Sequence, residues 1–384
     1  MTRLNDPRGS IWRKWDLHIH TPASFHWNDG KTFEKMTEHE RNKSVDKIIN
    51  RMEALDVAAF GIMDYWTFDG YSIIRERVKQ TSPSFSKAIF PGMELRIEAP
   101  VDFRLNIHVL LSDDLSAQKL GDFKSALRIR IGKDDRSLSN ESLIEFASSL
   151  DASKAQFHGF SQKDLKDENN LLKLGSMTAN VTRDSLQNAI AQLPERTALI
   201  ILPYDTSNGL MKLDWKSFPS DDNYFMTSAH IFETRDSKNI DLCLGKETKE
   251  NSAFIENFMK SMGGKPKPAI SGSDAHKIKD YGVFPSGKVT WIKADPTFQG
   301  LLQVVNEPEE RSFIGESPTK LEHVKKHPTK YIDRLEIKKN PDATVTEKWF
   351  DNELVLNPGL ISIIGNKGNG KSALVDIVGL LAET

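Results

Sequence analysis

Residues 14–20 read KWDLHIH, a short run that closes on two histidines two positions apart. In an extended strand, residues i and i+2 share a face, so His18 and His20 are expected to present both imidazoles to one side. The same arrangement, an apolar run ending in His, Asp, Glu or Tyr, recurs at 57–65 (VAAFGIMDY), 88–94 (AIFPGME), 105–111 (LNIHVLL), 198–205 (ALIILPYD), 229–233 (AHIFE) and 269–276 (AISGSDAH). Between several of these runs, stretches such as 44–55 and 184–192 space their apolar residues near 3.6, as a helix with one buried face does. Alternating strands and helices predict a parallel sheet, and closure of that sheet into a barrel brings the strand C-terminal ends to one face. One polar strand end alone reads most simply as a residue facing water. Seven of them predict an α/β barrel with a polar mouth.

A chain of 384 residues is long enough for two or three domains. Its 52 basic and 54 acidic residues leave a net charge of -2, which excludes a polycation built for nucleic acid and confines any such contact to a local patch. The single cysteine, Cys243, excludes an intramolecular disulfide and a paired-cysteine zinc ribbon and fits a reducing, cytoplasmic setting. The longest apolar runs, 198–202 and 360–364, fall far short of the ~18 residues that span a bilayer, and the first ten residues hold no apolar signal core. No membrane association is expected.

The barrel pattern is interrupted at about 112–197, a stretch too long for a simple crossover and read as an insertion over the barrel mouth. Its basic residues Lys124, Arg128, Arg130, Lys133 and Arg136 suit a phosphate backbone, but Asp134 and Asp135 interrupt them, so a solvated helix face is the simpler expectation. After Gly315 the composition turns to charge and proline. We read 1–315 as the barrel, 316–330 as a linker and 331–384 as a second unit.

The strand-end runs and the loop after the first carry His18, His20, His26, Glu94, His108, Asp274 and His276. Mixed imidazole and carboxylate donors suit Zn, Mn or Fe(II), and a carboxylate such as Glu94 is able to bridge two ions. Such a centre activates water at neutral pH and clamps the oxygens of a phosphate ester. Hydrolysis at phosphorus is the expected reaction class, with no serine or cysteine nucleophile required.

DLHIHTPAS, GIMDY, PGME, NIHVLL, HIFE and SGSDAH, in this order, resemble the motifs of the PHP (polymerase and histidinol phosphatase) domain. The resemblance covers about 14–315 and implies a distorted (β/α)7 barrel with a phosphoesterase site of one to three divalent ions. Position by position, it implies that His18, His20, Glu94 and Asp274 bind one metal, with Glu94 bridging, that His108 binds the second, and that His26 and His276 bind the third. Two positions depart from the family pattern. Asp64-Tyr65 stands where the family usually has Asp-His, and Pro203-Tyr204-Asp205 where it usually has His-Pro. Tyrosine is a poor ligand for a borderline metal, whereas Asp205 offers an oxygen. Asp64, Tyr65, Tyr204 and Asp205 are therefore candidates for catalytic positions near the metal centre.

Gly365, Asn366, Lys367, Gly368, Asn369, Gly370, Lys371 and Ser372 fit G-x-x-x-x-G-K-[ST], a loop whose backbone amides cradle phosphates while the Lys pairs with the β and γ oxygens and the Ser reaches Mg²⁺. LISII before it reads as a buried strand and SALVDIVGLL after it as an apolar helix. The stretch LNPGLISIIGNKGNGKSALVDIVGLL resembles the start of an SMC/RecF-type ATPase head, and the chain as a whole resembles the TrlF-like PHP-ATPases. The resemblance implies ATP and Mg as cofactors and, in a longer protein, a homo-oligomer paired through its heads. Because 12 residues follow Ser372, 331–384 is expected to be the N-terminal lobe of the ATPase only. The expected function is a metal-dependent phosphoesterase, a nuclease acting on DNA or RNA under ATPase control, with a defence role implied by resemblance alone. A small-molecule phosphatase would instead turn over a phosphomonoester and leave polymers intact. A non-catalytic PHP module regulating the ATPase would hold one ion or none and show no hydrolysis.

Overall fold

The polar-ended runs form seven strands of one sheet: β1 (Trp12–Ile19), β2 (Ala59–Tyr65), β3 (Ala88–Ile97), β4 (Leu105–Leu111) and, after a hairpin of β5 (Arg128–Ile131) and β6 (Asp134–Ser137), β7 (Ala198–Pro203), β8 (Ile231–Glu233) and β9 (Ala269–Ile270). Two further strands, β10 (Thr290–Lys293) and β11 (Ser312–Ile314), extend the sheet, giving the order β11-β10-β1-β2-β3-β4-β7-β8-β9. This computed structural model describes residues 6–206, 208–344, 346 and 352–382. They fall into two units, one spanning Trp12–Pro318 and the other combining Asp6–Ile11 with the residues from Thr319 onward.

The sheet curls until the segment after β9 meets β1. Asp274 N donates to His18 O (2.9 Å), His20 N donates to Ala275 O (3.0 Å), and Ile19 bridges Ala275 in parallel. The result is a nearly closed α/β barrel. Two strands depart from the expected parallel order: β4 runs antiparallel to both β3 and β7, and the added β10 runs antiparallel to both β1 and β11. Only residues 98–104 connect β3 to β4, too few for the crossover of a dozen or more residues that a parallel neighbour needs.

Strand alternation divides the apolar residues into two layers. Trp15, Leu17, Met63, Phe90, Leu110, Leu199, Ile201, Ile231 and Ile270 fill the inside together with Phe298, Leu301 and Val304 of the helix Phe298–Asn306. Phe60, Ile62, Met93, Ile107, Val109, Ile200, Leu202 and Phe232 face outward against helices, among them Glu38–Ala54 and Asp69–Thr81. The first of these helices starts six residues before the apolar spacing at 44–55 suggests. Thr37 and Glu40 form a capping box there, satisfying amides that the helix itself leaves unpaired.

β1 carries an extra residue relative to β2. Asp16 pairs with Phe60 and Ile19 with Ile62, so Leu17 and His18 both lie opposite Gly61. This bulge changes the parity of the strand: Trp15 and Leu17 face inward, Asp16 outward, and beyond the bulge His18 and His20 face inward with Ile19 outward. Gly61 accommodates the bulge, since a Cβ there would stand 2.4 Å from Leu17 O.

The insertion, expected at 112–197, holds the β5–β6 hairpin and five helices, including Asn140–Ser148 and Glu168–Thr178. Its basic cluster is not a helix face. Arg128, Arg130 and Arg136 lie on the hairpin, where Arg130 pairs with Asp135 (3.0 Å) and Glu98 (3.5 Å), and Arg136 with Asp134 (3.3 Å) and Glu145 (3.4 Å). Carboxylates of the chain itself thus occupy Arg130 and Arg136, and Arg128 donates to Ser137 Oγ.

In the second unit, β12 (Arg334–Ile337) pairs antiparallel with β13 (Asn352–Val355), and a helix spans Lys371–Leu381. Asn357 Nδ2 ties Asp6–Ile11 to this unit through Arg8 O (2.9 Å) and Ser10 O (3.0 Å). The stretch 316–330, read as a linker, contains the helix Thr319–Lys326. One expectation needs correction: 360–364, read as a buried strand, forms no ladder and leaves Leu360 and Ile364 each 90% exposed. Among the described residues this unit offers only the β12–β13 pair, so no third strand covers 360–364. No described helix is long and apolar enough to cross a membrane.

Candidate metal centre

The bulge in β1 delivers His18 and His20 to the inner face, where β3 contributes Glu94 and the turn after β9 contributes Asp274. His18 Nε2 lies 3.4 Å from Glu94 Oε2 and 3.4 Å from Asp274 Oδ1, while His20 Nε2 lies 3.5 Å and 3.4 Å from the same two oxygens. These separations exceed the usual N–H···O range of about 2.7–3.2 Å. They fall in the range of about 3.3–3.6 Å between neighbouring ligands of a metal bound at about 2.0–2.2 Å, and His18, His20 and Glu94 together form one possible ligand group, with Asp274 beside it. Three of the four atoms, His18 Nε2, His20 Nε2 and Glu94 Oε2, are buried with no hydrogen-bond partner. Buried polar atoms are seldom left unpaired, and a cation at the common centre satisfies all of them.

Asp274 sits at φ +52°, a left-handed conformation that Asp tolerates better than most residues. Asp16 holds its turn in place: facing outward just before the bulge, its buried carboxylate accepts from Ser273 N (3.0 Å) and Gly282 N (3.0 Å).

Glu94 offers one oxygen to each side. Oε2 faces His18 and His20, while Oε1 lies 3.6 Å from His108 Nε2 and accepts from Asn106 Nδ2. Across the barrel, Glu233 at the end of β8 faces Nδ1 of His18 (3.0 Å) and Nδ1 of His108 (3.3 Å). A carboxylate on the far nitrogen of a ligating imidazole fixes its tautomer and aim. A further possible ligand group joins His20 and Asp274 to His276, whose Nε2 is 3.4 Å from Asp274 Oδ1 and whose ring stacks on His20 at 4.1 Å. His26 lies at the same mouth, its ring centre 6.1 Å from that of His276 and 5.4 Å from that of Tyr65, but it is not part of this group.

Electrostatics follow this crowding. Burial drives His20 down to about 4, so its imidazole is neutral and able to ligate. For His18 and His108 burial acts in the same direction, but carboxylates outweigh it: Glu233 and Asp274 raise His18 well above the usual range, and Glu233 and Glu94 raise His108. Burial opposes the ionised form of Glu94, yet His108 and His18 hold it well below the carboxylate range.

The four catalytic candidates separate by strand parity. Tyr65 faces inward, stacked on His20 at 5.2 Å, with its hydroxyl pushed up by burial and by Glu94. Asp64 faces outward, accepting from Thr21 N and Thr21 Oγ1 (both 2.7 Å), and burial lifts it to about 7. It shapes the loop after β1. Tyr204 follows the inward Pro203 and so turns outward onto Phe232 (5.7 Å) and Phe258 (6.2 Å). Asp205 Oδ2 accepts from Thr234 Oγ1 (2.6 Å), Asn239 Nδ2 (3.1 Å) and Asp236 N (3.3 Å), organising the loop after β8. Asp64, Tyr204 and Asp205 therefore serve the packing around the site and are not seen among the possible ligands.

Glu233, Asn106, Asp16 and Arg96 are site residues that the sequence reading did not assign. Glu233 carried a signal, since it closes the run AHIFE in the way that Glu94 closes AIFPGME. In the second unit, the glycine-rich loop ends on Gly370 in the left-handed region, and Lys371 Nζ donates to Gly365 O (2.6 Å) and Asn366 O (2.9 Å).

The barrel mouth is thus a candidate divalent-metal centre of His, Glu and Asp on an α/β barrel. Neither protein-family models nor curated proteins match the sequence. Among solved structures, the chain is similar to an amidohydrolase from Chromobacterium violaceum with bound sulfate and no metal, at a TM-score of 0.37 and 13% identity, over 78% of this chain and 98% of that one.

Proposed function

We propose that the barrel is a metal-dependent hydrolase of phosphate esters, of the PHP type, and a nuclease acting on DNA or RNA. The observation that carries this reading is the convergence of His18, His20, Glu94 and Asp274 at edge lengths of 3.4–3.5 Å around a point where their buried atoms lack partners. The chemistry that a bound divalent ion supplies is Lewis acidity toward the ester and a water nucleophile at neutral pH. The chain's own groups do the rest. His18 and His20 would hold the ion with Glu94 and Asp274, Glu233 would keep His18 in the ligating tautomer, and Tyr65 packs against His20. His108 with the second oxygen of Glu94 would hold a further ion, and His276 with Asp274 another.

The choice of a polymer rests on the resemblance of 331–384 to SMC/RecF-type heads, which work on nucleic acid, and so does the proposed control by ATP in a longer protein. A role in defence follows the same resemblance. Metal-loaded protein should be assayed on single-stranded DNA, duplex DNA, structured RNA, a generic phosphodiester and a phosphomonoester. Hydrolysis of a polymer that depends on His18 and His20 supports the nuclease. Turnover of the monoester alone would replace it with a small-molecule phosphatase, and inactivity across Zn, Mn and Fe(II) would sink the hydrolase reading.

A further inference from the structure

Arg96 stands two residues beyond Glu94 on β3 and so shares its inward face. Its side chain is buried, 3% exposed, and no ion pair joins it to a carboxylate among the described residues. Nη1 donates to Ser176 O (2.7 Å), and Nε has no partner. The guanidinium lies 5.7 Å from the ring centre of Tyr65 and 5.9 Å from that of Phe25, and Tyr65 in turn stacks on His20. A permanent cation is therefore held one ring away from the metal cluster. Arginine keeps its charge at any physiological pH, and a buried charge is costly unless an anion meets it.

The surroundings hold this cation in place with no carboxylate among the described residues in direct contact, Glu94 acting on it only through space. Ser176 and Met177 lie in the last turn of the insertion's helix Glu168–Thr178, whose carbonyl end carries partial negative charge. Ser176 O accepts from Arg96 and also from Trp66 Nε1 (2.9 Å), and Met177 O accepts from Arg104 Nη1. Trp66 itself is a buried non-glycine residue at φ +64°. Strained backbone of this kind persists where the surrounding structure enforces it, often beside a ligand site. The insertion thus orients two guanidinium groups at the wall of the barrel mouth, and in Arg96 a donor nitrogen is left over.

We propose that Arg96, backed by Arg104, is an anion-binding residue that takes a non-bridging oxygen of the substrate's phosphate group beside the metal centre. This rests on the phosphoesterase reading and adds to it the group that fixes the phosphate. The insertion, through Ser176 and Met177, becomes part of the substrate site and not only a cover over it. Guanidinium donors suit tetrahedral oxyanions because their planar fork offers more than one N–H in a fixed geometry.

The test uses the full chain loaded with Zn²⁺ and inorganic phosphate as the probe. In calorimetric titration, Arg96→Gln should weaken phosphate binding by about tenfold or more while zinc content stays at the wild-type level, and Arg96→Lys should recover part of the loss through its charge. In the wild type, phosphate should shift an arginine Nε–H resonance that is absent from Arg96→Lys, a signal that a purely structural contact to Ser176 would not produce. If Arg96→Gln does not fold, Arg96→Lys and this resonance decide the matter. Equal phosphate affinity in wild type and variants, or no shifted arginine resonance, overturns the proposal. Arg96-dependent phosphate binding by a protein that cleaves no phosphoester would uphold the subsite and overturn the phosphoesterase reading instead.

Discussion

Glu233 orients two imidazoles at once, so its removal should be felt at the metal and not in the fold. Glu233→Gln keeps the shape but gives up the charge that faces His18 and His108 at 3.0 and 3.3 Å, and metal affinity should fall by about 10–100-fold with an intact far-UV spectrum. Competition titration with a chelating dye measures this; unchanged affinity would remove Glu233 from the centre. The raised pKa values of His18 and His108 carry a second expectation. Ligation needs the neutral ring, so protons these residues hold in the metal-free protein must leave on binding, and affinity must drop as pH falls through their raised values. Calorimetry in buffers of different ionisation enthalpy should show net proton release that shrinks as pH rises through these raised values. Which residues gather at this candidate centre was only partly legible in the sequence. His18, His20, Glu94, His108, Asp274 and His276 could be read as donors, because strand-end imidazoles and carboxylates have few other reasons to cluster. The inward place of Tyr65 and the outward places of Asp64, Tyr204 and Asp205 could not, since parity depends on where each strand starts and on bulges such as the one at Leu17 and His18.

At the scale of elements, the chain solves its buried polar groups locally. The helix Pro219–Ser228 ends against the amine of Lys267, which donates to Met226 O (2.6 Å), Thr227 O (3.0 Å) and Ala229 O (2.5 Å). Lys267→Met would leave these carbonyls without that donor and should destabilise the barrel by about 1–3 kcal/mol, with metal content per folded chain unchanged. Thermal denaturation checks it, and a variant as stable as the wild type would show that water replaces the amine. Seven strands were legible because each ends in a polar cluster. β10 and β11 were not, because neither closes on such a cluster. The β5–β6 hairpin does have a signal, RIRI followed by Gly-Lys, an alternation of period two that its run of charged residues masks. The reversal of β4 was legible only in the length of 98–104.

At the scale of the whole molecule, the candidate metal ligands come from the unit Trp12–Pro318 and the glycine-rich loop from the other. Lys371→Ala should therefore leave metal uptake untouched. The loop's lysine is bonded to Gly365 O and Asn366 O, and among the described residues no ladder backs 360–364, so the 384-residue chain should hydrolyse ATP no faster than Lys371→Ala. A Lys371-dependent ATPase rate above that background would contradict this and show that the phosphate cradle is complete.

The central claim is that His18, His20, Glu94 and Asp274 enclose a divalent ion. Elemental analysis of the purified chain, after exposure to Zn, Mn and Fe(II) in turn and gel filtration, tests it most directly beside the double variant His18→Ala with His20→Ala. At least one ion should be retained per wild-type chain and none at this centre in the variant, with both proteins giving the same far-UV spectrum. A wild-type chain that retains no ion from any of the three metals, or a double variant that retains as much as the wild type, would contradict it.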